Sequence, residues 1–128
     1  MPLLAYTSFM PEPARRLVWI VDSLNDLKKF PSTVQTKLGF GIYQAQIGKK
    51  HEHAKLLHGF QVPVWEVCAD DRSGTYRAIY VVQLRKAIYV LHAFQKKSKV
   101  GIATPKRETD LIHQRLKLAI SQDNQSGS

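Results

Sequence analysis

Val64-Trp-Glu-Val-Cys-Ala69, Thr75-Tyr-Arg-Ala-Ile-Tyr-Val-Val82 and Ala87-Ile-Tyr-Val-Leu-His-Ala-Phe94 follow one another closely in the second half of the chain. All three runs are dense in β-branched and aromatic residues, which suit a pleated, half-buried surface. Asp70-Asp-Arg-Ser-Gly74, between the first two, has turn composition, and only Gln83-Leu-Arg-Lys86 separates the last two. Links this short join neighbouring antiparallel strands, so the spacing predicts a meander.

Working outward, Arg16-Leu-Val-Trp-Ile-Val21 predicts a further strand. Ser23-Leu-Asn-Asp26 has the outline of a helix start, and a short helix reaches Phe30 before Pro31 ends it. Ser32-Thr-Val-Gln35 fits a second capping box, with Val34, Leu38, Ile42 and Ala45 at helical spacing behind it. Gly39 and Gly41 weaken that helix by up to about 1 kcal/mol each relative to alanine. Residues 48–63 are polar, rich in His and Lys, and read as a loop with a short turn. Thr104 as N-cap and Pro105 at the first helical position open a last helix, which runs to about Ile120. Leu111, Ile112, Leu116, Ala119 and Ile120 supply its apolar stripe. The resulting order, β-α-α-β-β-β-α, predicts an α+β domain: a small curved antiparallel sheet on an N-terminal helical hairpin, with a C-terminal helix. Residues 15–121 form the single expected domain. Residues 1–14, with three prolines, read as an irregular arm, and residues 122–128 as a disordered tail.

At 128 residues and 44% hydrophobic, the chain can bury a real core. No apolar run approaches the roughly 20 residues that span a bilayer, and the N-terminus lacks the basic start and apolar length of a secretory signal. Cys68 is the only cysteine, so no internal disulfide forms and zinc lacks thiolate ligands. His51 and His53 have metal-like spacing but no further ligands close by. A cytoplasmic protein without a cofactor is the expectation. The net charge is +9, and residues 85–117 hold nine cations against two anions. Such a concentration attracts polyanions, although a basic face kept for solubility has the same composition.

These joints resemble the RelE/HigB-like toxins of type II toxin–antitoxin systems, within the RelE/ParE superfamily and nearest its phage-derived HigB-like branch. Leu56-Leu-His-Gly59, Val64-Trp-Glu-Val67, Gly74-Thr-Tyr-Arg-Ala-Ile-Tyr80, Val90-Leu-His-Ala-Phe-Gln-Lys-Lys97 and Thr104-Pro-Lys-Arg-Glu108 carry the likeness, in order, over roughly residues 15–120. The resemblance implies a metal-independent endoribonuclease that cuts mRNA, usually in the ribosomal A site, inhibits translation and growth, and is restrained by a cognate antitoxin. Its partners would be that antitoxin, mRNA and the ribosome. The implied reaction is attack of the ribose 2′-oxygen on the adjacent phosphorus. It requires removal of the 2′ proton, stabilisation of a dianionic phosphorane and protonation of the leaving oxygen.

Arg77 matches the family's strand arginine. Buried without an anion it would be costly, so it meets a phosphate or a protein carboxylate such as Glu66 or Asp70. Lys96 and Lys97 end their strand on opposite faces, and the resemblance places the catalytic cation at Lys97. His92 shares a face with Phe94 and Lys96 and is an acid–base candidate, or else a hydrogen-bonded core histidine. Glu66 and Cys68 share a face opposite Trp65 and Val67. Where the family commonly has Trp-Glu-Leu-Arg, this chain has Trp-Glu-Val-Cys, so Cys68 replaces an arginine unless Arg72 compensates from the turn. His58, Arg72, Lys99, Lys106 and Arg107 are the expected RNA contacts, with Arg115 a further candidate. Alternatively, the helix cations form an ordinary exposed face. Tyr76 and Tyr80 alternate with Arg77 and point away from it. Two rival functions keep the same residues: a ParE-like gyrase poison, and a non-enzymatic nucleic-acid-binding regulator.

Overall fold

A computed structural model describes residues 14–96 and 104–125. Most of the expected arm, Lys97, Lys99 and the last residues of the expected tail lie outside the described residues. The elements, in chain order, are β1 (Leu17–Trp19), α1 (Ser23–Lys28), α2 (Ser32–Gln46), β2 (Ala54–Leu57), β3 (Val64–Asp71), β4 (Gly74–Val81), β5 (Ile88–Lys96) and α3 (Lys106–Asn124). They form a five-stranded sheet in the order β1-β5-β4-β3-β2. The β3–β4–β5 meander is present with antiparallel pairing throughout.

Four sequence expectations need correction. The stretch read as a loop contains β2, whose pattern of two exposed residues between Ala54 and Leu57 gives little strand signal by itself. Its conformation comes from antiparallel pairing with β3, Ala54 opposite Val67 and Leu57 opposite Val64. The sheet is mixed rather than wholly antiparallel, because β1 pairs parallel to β5, Leu17 beside Ile88. The last helix continues past Ile120 to Asn124, so the tail expected from residue 122 begins as helix. None of the three predicted N-caps forms, since Asp22, Pro31 and Pro105 occupy those positions without side-chain caps. The Gln35 amide instead donates back to the carbonyls of Lys28 (3.0 Å) and Phe30 (2.9 Å), closing the α1–α2 corner.

The sheet is covered on both faces. Leu27, Val34, Leu38 and Ile42 of α1 and α2 pack on Val67, Tyr76, Ala78, Tyr80 and Val90. Ile112, Leu116 and Ala119 of α3 pack on the other face, against Val64, Ile79, Val81, Tyr89 and Leu91. Gly41 explains why a helix-weakening residue sits in α2: a Cβ there would lie 2.7 Å from Cγ2 of Val67. The glycine lets the helix backbone approach β3 closely.

One extra residue in β5 assigns side chains to these layers. Tyr80 pairs with Val90 and Ile79 with His92, leaving Leu91 as a bulge. Beyond it, His92, Phe94 and Lys96 turn to the α3 side, whereas straight alternation from Ile88 and Val90 would send them to the hairpin side.

Asp123 fastens the end of α3. Its carboxylate accepts the backbone N–H groups of Arg85 (2.9 Å) and Lys86 (2.8 Å) and the Tyr89 hydroxyl (2.9 Å), and the residue is 2% exposed. Replacing Asp123 with Ala leaves these donors unmet and is expected to destabilise the fold by about 3 kcal/mol, with Asp123→Asn milder; urea unfolding of both variants measures this.

Candidate functional site

The strand register collects the candidate residues on one face. Cys68 lies opposite Arg77 and Arg77 opposite Phe94, while Glu66 pairs with Ile79, Ile79 with His92, and Thr75 with Lys96. Glu66, Cys68, Arg77, His92 and Lys96 therefore all belong to the α3-facing side. Tyr76 and Tyr80 belong to the other side and are buried there, as alternation required.

Arg77 is in an ion pair. Its Nη1 lies 2.8 Å from Oε2 of Glu66, whose side chain is fully buried, while the Arg77 side chain is 7% exposed. Lys55 of β2 adds a second cation 3.5 Å from Glu66 Oε1. Of the two partners open to Arg77 in the sequence, the protein carboxylate is the one present in this state. The pair leaves one buried donor, Arg77 Nε–H, with no hydrogen-bond partner. An unmet buried donor costs about 1–3 kcal/mol, and a persistent one calls for an explanation at a functional site. Cys68 Sγ sits 3.4 Å from Glu66 Oε1. Burial and the adjacent carboxylate push its thiol up to about 11, so it stays protonated and is no nucleophile.

His92 is 5% exposed and lies between two groups of α3. Arg115 Nη1 approaches its Nδ1 at 2.9 Å and also the Leu91 carbonyl at 3.2 Å, while its Nε2 lies 2.7 Å from Glu108 Oε1. A guanidinium can only donate, so Nδ1 accepts and Nε2 carries the proton toward the carboxylate. Burial holds His92 below the usual imidazole range, and Arg115 acts in the same direction against the opposing pull of Glu108. Sequence reading missed Glu108 and the part played by Arg115, because these contacts join residues 16 and 23 positions apart.

The expected RNA contacts are spread out. His58 is exposed in the loop after β2, and Arg72 is exposed in the β3–β4 turn. Arg107 is exposed in the first turn of α3, and Lys106 there pairs with Asp110 at 2.9 Å. Lys96 lies at the end of β5 on the Arg77 face. Among the described residues, no group of three or more His, Cys, Asp or Glu is placed to hold a metal ion. No described helix is long and apolar enough to cross a membrane.

Two stability measurements probe this arrangement. Arg77→Ala strands the Glu66 carboxylate and is expected to cost about 3–5 kcal/mol, while the paired change Glu66→Leu/Arg77→Met restores most of it; denaturant unfolding of both variants gives the comparison. For His92, a folded-state pKa below the unfolded value of 6.5 means that the unfolded chain binds the proton first. Its contribution is complete above about pH 6.5 and is lost as pH falls toward the folded value. The melting temperature of the wild type should therefore drop more between pH 7 and pH 5 than that of His92→Gln.

The family model for phage-derived Gp49-like proteins matches residues 25–117. No curated protein sequence matches the chain. Among solved structures, an arginine-substituted mutant of the E. coli toxin RelE in the free state is similar, with a TM-score of 0.55 and 19% identity. The alignment covers 82% of this chain and 97% of that one. With the meander, the helical hairpin and the α3-facing site already in place, the chain belongs to the phage-derived Gp49-like family, a RelE/HigB-like toxin family, and carries the RelE-like fold.

Proposed function

We infer that this protein is the toxin of a type II toxin–antitoxin system and a metal-independent endoribonuclease that cuts mRNA in the ribosomal A site. Family and fold support the toxin role. The observation that carries the nuclease reading is the placement of Arg77, His92 and Lys96 on one sheet face. In this reading Glu66 fixes the Arg77 guanidinium on that face, and its charge stabilises the phosphorane. Lys96 and Lys97 offset its second negative charge. The 2′-oxygen forms its bond to phosphorus as its proton passes to the Glu108 carboxylate, which His92 Nε2–H positions. The P–O5′ bond breaks as the 5′-oxygen takes a proton from the Lys96 ammonium, and the upstream fragment ends in a cyclic phosphate. His58, Arg72, Lys99, Lys106 and Arg107 hold RNA backbone and set affinity. The basic surface is also the natural target of an acidic antitoxin segment.

Two observations favour a second reading. Arg77 is engaged by Glu66, and Cys68 replaces the neighbouring arginine of the pattern, which together weaken phosphate binding and suit a ParE-like gyrase poison.

Induction in growing cells, with primer extension on an abundant mRNA, separates these readings. New in-frame 5′ ends are expected, falling roughly a hundredfold or more in Lys96→Ala/Lys97→Ala. Growth arrest without new ends points to the gyrase reading. Salt-sensitive RNA binding with neither effect points to a regulator.

A further inference from the structure

The buried imidazole of His92 is held on its face and on both edges. Phe94 stacks on the face, with ring centroids 5.2 Å apart and planes 21° from parallel. Glu108 Oε1 meets Nε2 at 2.7 Å along one edge, and Arg115 Nη1 meets Nδ1 at 2.9 Å along the other. Arg115 is itself anchored, because the same Nη1 donates to the carbonyl of Leu91, the bulge residue, at 3.2 Å. Glu108 is the outward member of its pair, its side chain 20% exposed against 6% for His92. Glu108 is therefore open to a bound RNA, whereas both contacts of the half-buried Arg115 turn inward onto β5.

Such a cluster could do no more than fasten α3 to β5, but the proton on the ring gives it a second consequence. With that proton on Nε2, Glu108 accepts it as a carboxylate and Arg115 donates to the free Nδ1. With the proton on Nδ1, two donors would face each other at Arg115. Nε2 would then meet Glu108 as an acceptor, and Glu108 could bond to it only by carrying a proton itself. A doubly protonated ring keeps its bond to Glu108 but sets an imidazolium against the guanidinium. An adjacent cation also weakens the carboxylate as a base. Only the first state leaves Glu108 ionised beside a neutral ring. Burial disfavours the charged ring; among the charged neighbours Arg115 acts the same way, while Glu108 and Asp26 of α1 oppose it.

We propose that Arg115 is a positioning residue, which fixes the His92 proton on Nε2 and so keeps the Glu108 carboxylate ready to take the 2′ proton. The lock on the ring stands on these contacts; the use of Glu108 as the base rests on the ribonuclease reading above. Arg115 then serves the chemical step through His92 and Glu108 without touching RNA, unlike the exposed Arg107 of the same helix. The lock also has an acid limit. Once His92 takes a second proton, Nδ1 faces Arg115 as a donor and that contact is lost.

Nitrogen-15 NMR of the full chain reads the ring directly, with the His92 signals assigned by their loss in His92→Gln. Wild type is compared with Arg115→Met, which removes the donor, and Arg115→Lys, which keeps a donor and a charge. At neutral pH the wild-type ring should carry one proton, on Nε2, and Arg115→Lys should follow it. Arg115→Met should show the other tautomer or the doubly protonated ring, titrating at higher pH than wild type. Single-turnover cleavage of mRNA on programmed ribosomes at saturating protein should slow roughly tenfold or more in Arg115→Met. Half-saturation should be unchanged, the acid limb of the rate–pH profile should move to higher pH, and Arg115→Lys should largely recover. A wild-type ring with its proton on Nδ1, or an Arg115→Met ring like wild type, overturns the lock; the first of these needs no variant that folds. A lost lock with undiminished cleavage overturns the positioning role and leaves the ribonuclease standing. A raised half-saturation at an unchanged rate makes Arg115 an RNA contact and also overturns it. The expected spectra without cleavage by the wild type support the lock and remove the ribonuclease.

Discussion

The β4–β5 pairing holds one residue more on β5 than on β4, and that bulge at Leu91 sets the two faces of the molecule. On one side of it, Ile88 and Val90 feed the hairpin layer. On the other, His92, Phe94 and Lys96 join Arg77 beneath α3. With a straight strand, His92 would enter an apolar layer built from Val34, Leu38 and Tyr80, far from Glu108 and Arg115. Burying an imidazole there without partners would be unfavourable. The bulge thus lets one strand serve both an apolar core and a polar site.

Helix α3 is tied to β5 and its preceding turn at two points rather than by packing alone. In its first half, Glu108 and Arg115 hold His92 from either side. At its end, Asp123 satisfies two backbone donors of the β4–β5 turn and the Tyr89 hydroxyl. Each contact fills a buried polar group that the sheet alone would leave unmet. The exposed cations of the first turn, Lys106 and Arg107, are thereby fixed relative to the Arg77 face.

Strand β3 serves both faces of the sheet through its alternation. Glu66 and Cys68 face α3, and Val67 packs against Gly41 of α2. Because β2 starts only at Ala54, opposite Val67, the outer edge of β3 from Cys68 to Asp70 has no described strand beside it.

Local chemistry determined the meander, the helical hairpin and the basic C-terminal helix, because strand and helix periods are written in neighbouring residues such as Thr75–Val82 and Val34–Ala45. It also placed Glu66 and Cys68 on a common face, His92 with Lys96, and Tyr76 and Tyr80 away from Arg77, since alternation within one strand needs no partner. Only the tertiary structure decided what those residues touch. Strand β2 and the parallel pairing of β1 depend on neighbours distant in sequence, and the bulge at Leu91 has no residue signature. The Glu66–Arg77 pair, the Glu108–His92–Arg115 cluster and the Asp123 anchor each join residues at least 11 apart. Such contacts follow from how sheet and helices stack, which a one-dimensional pattern does not carry.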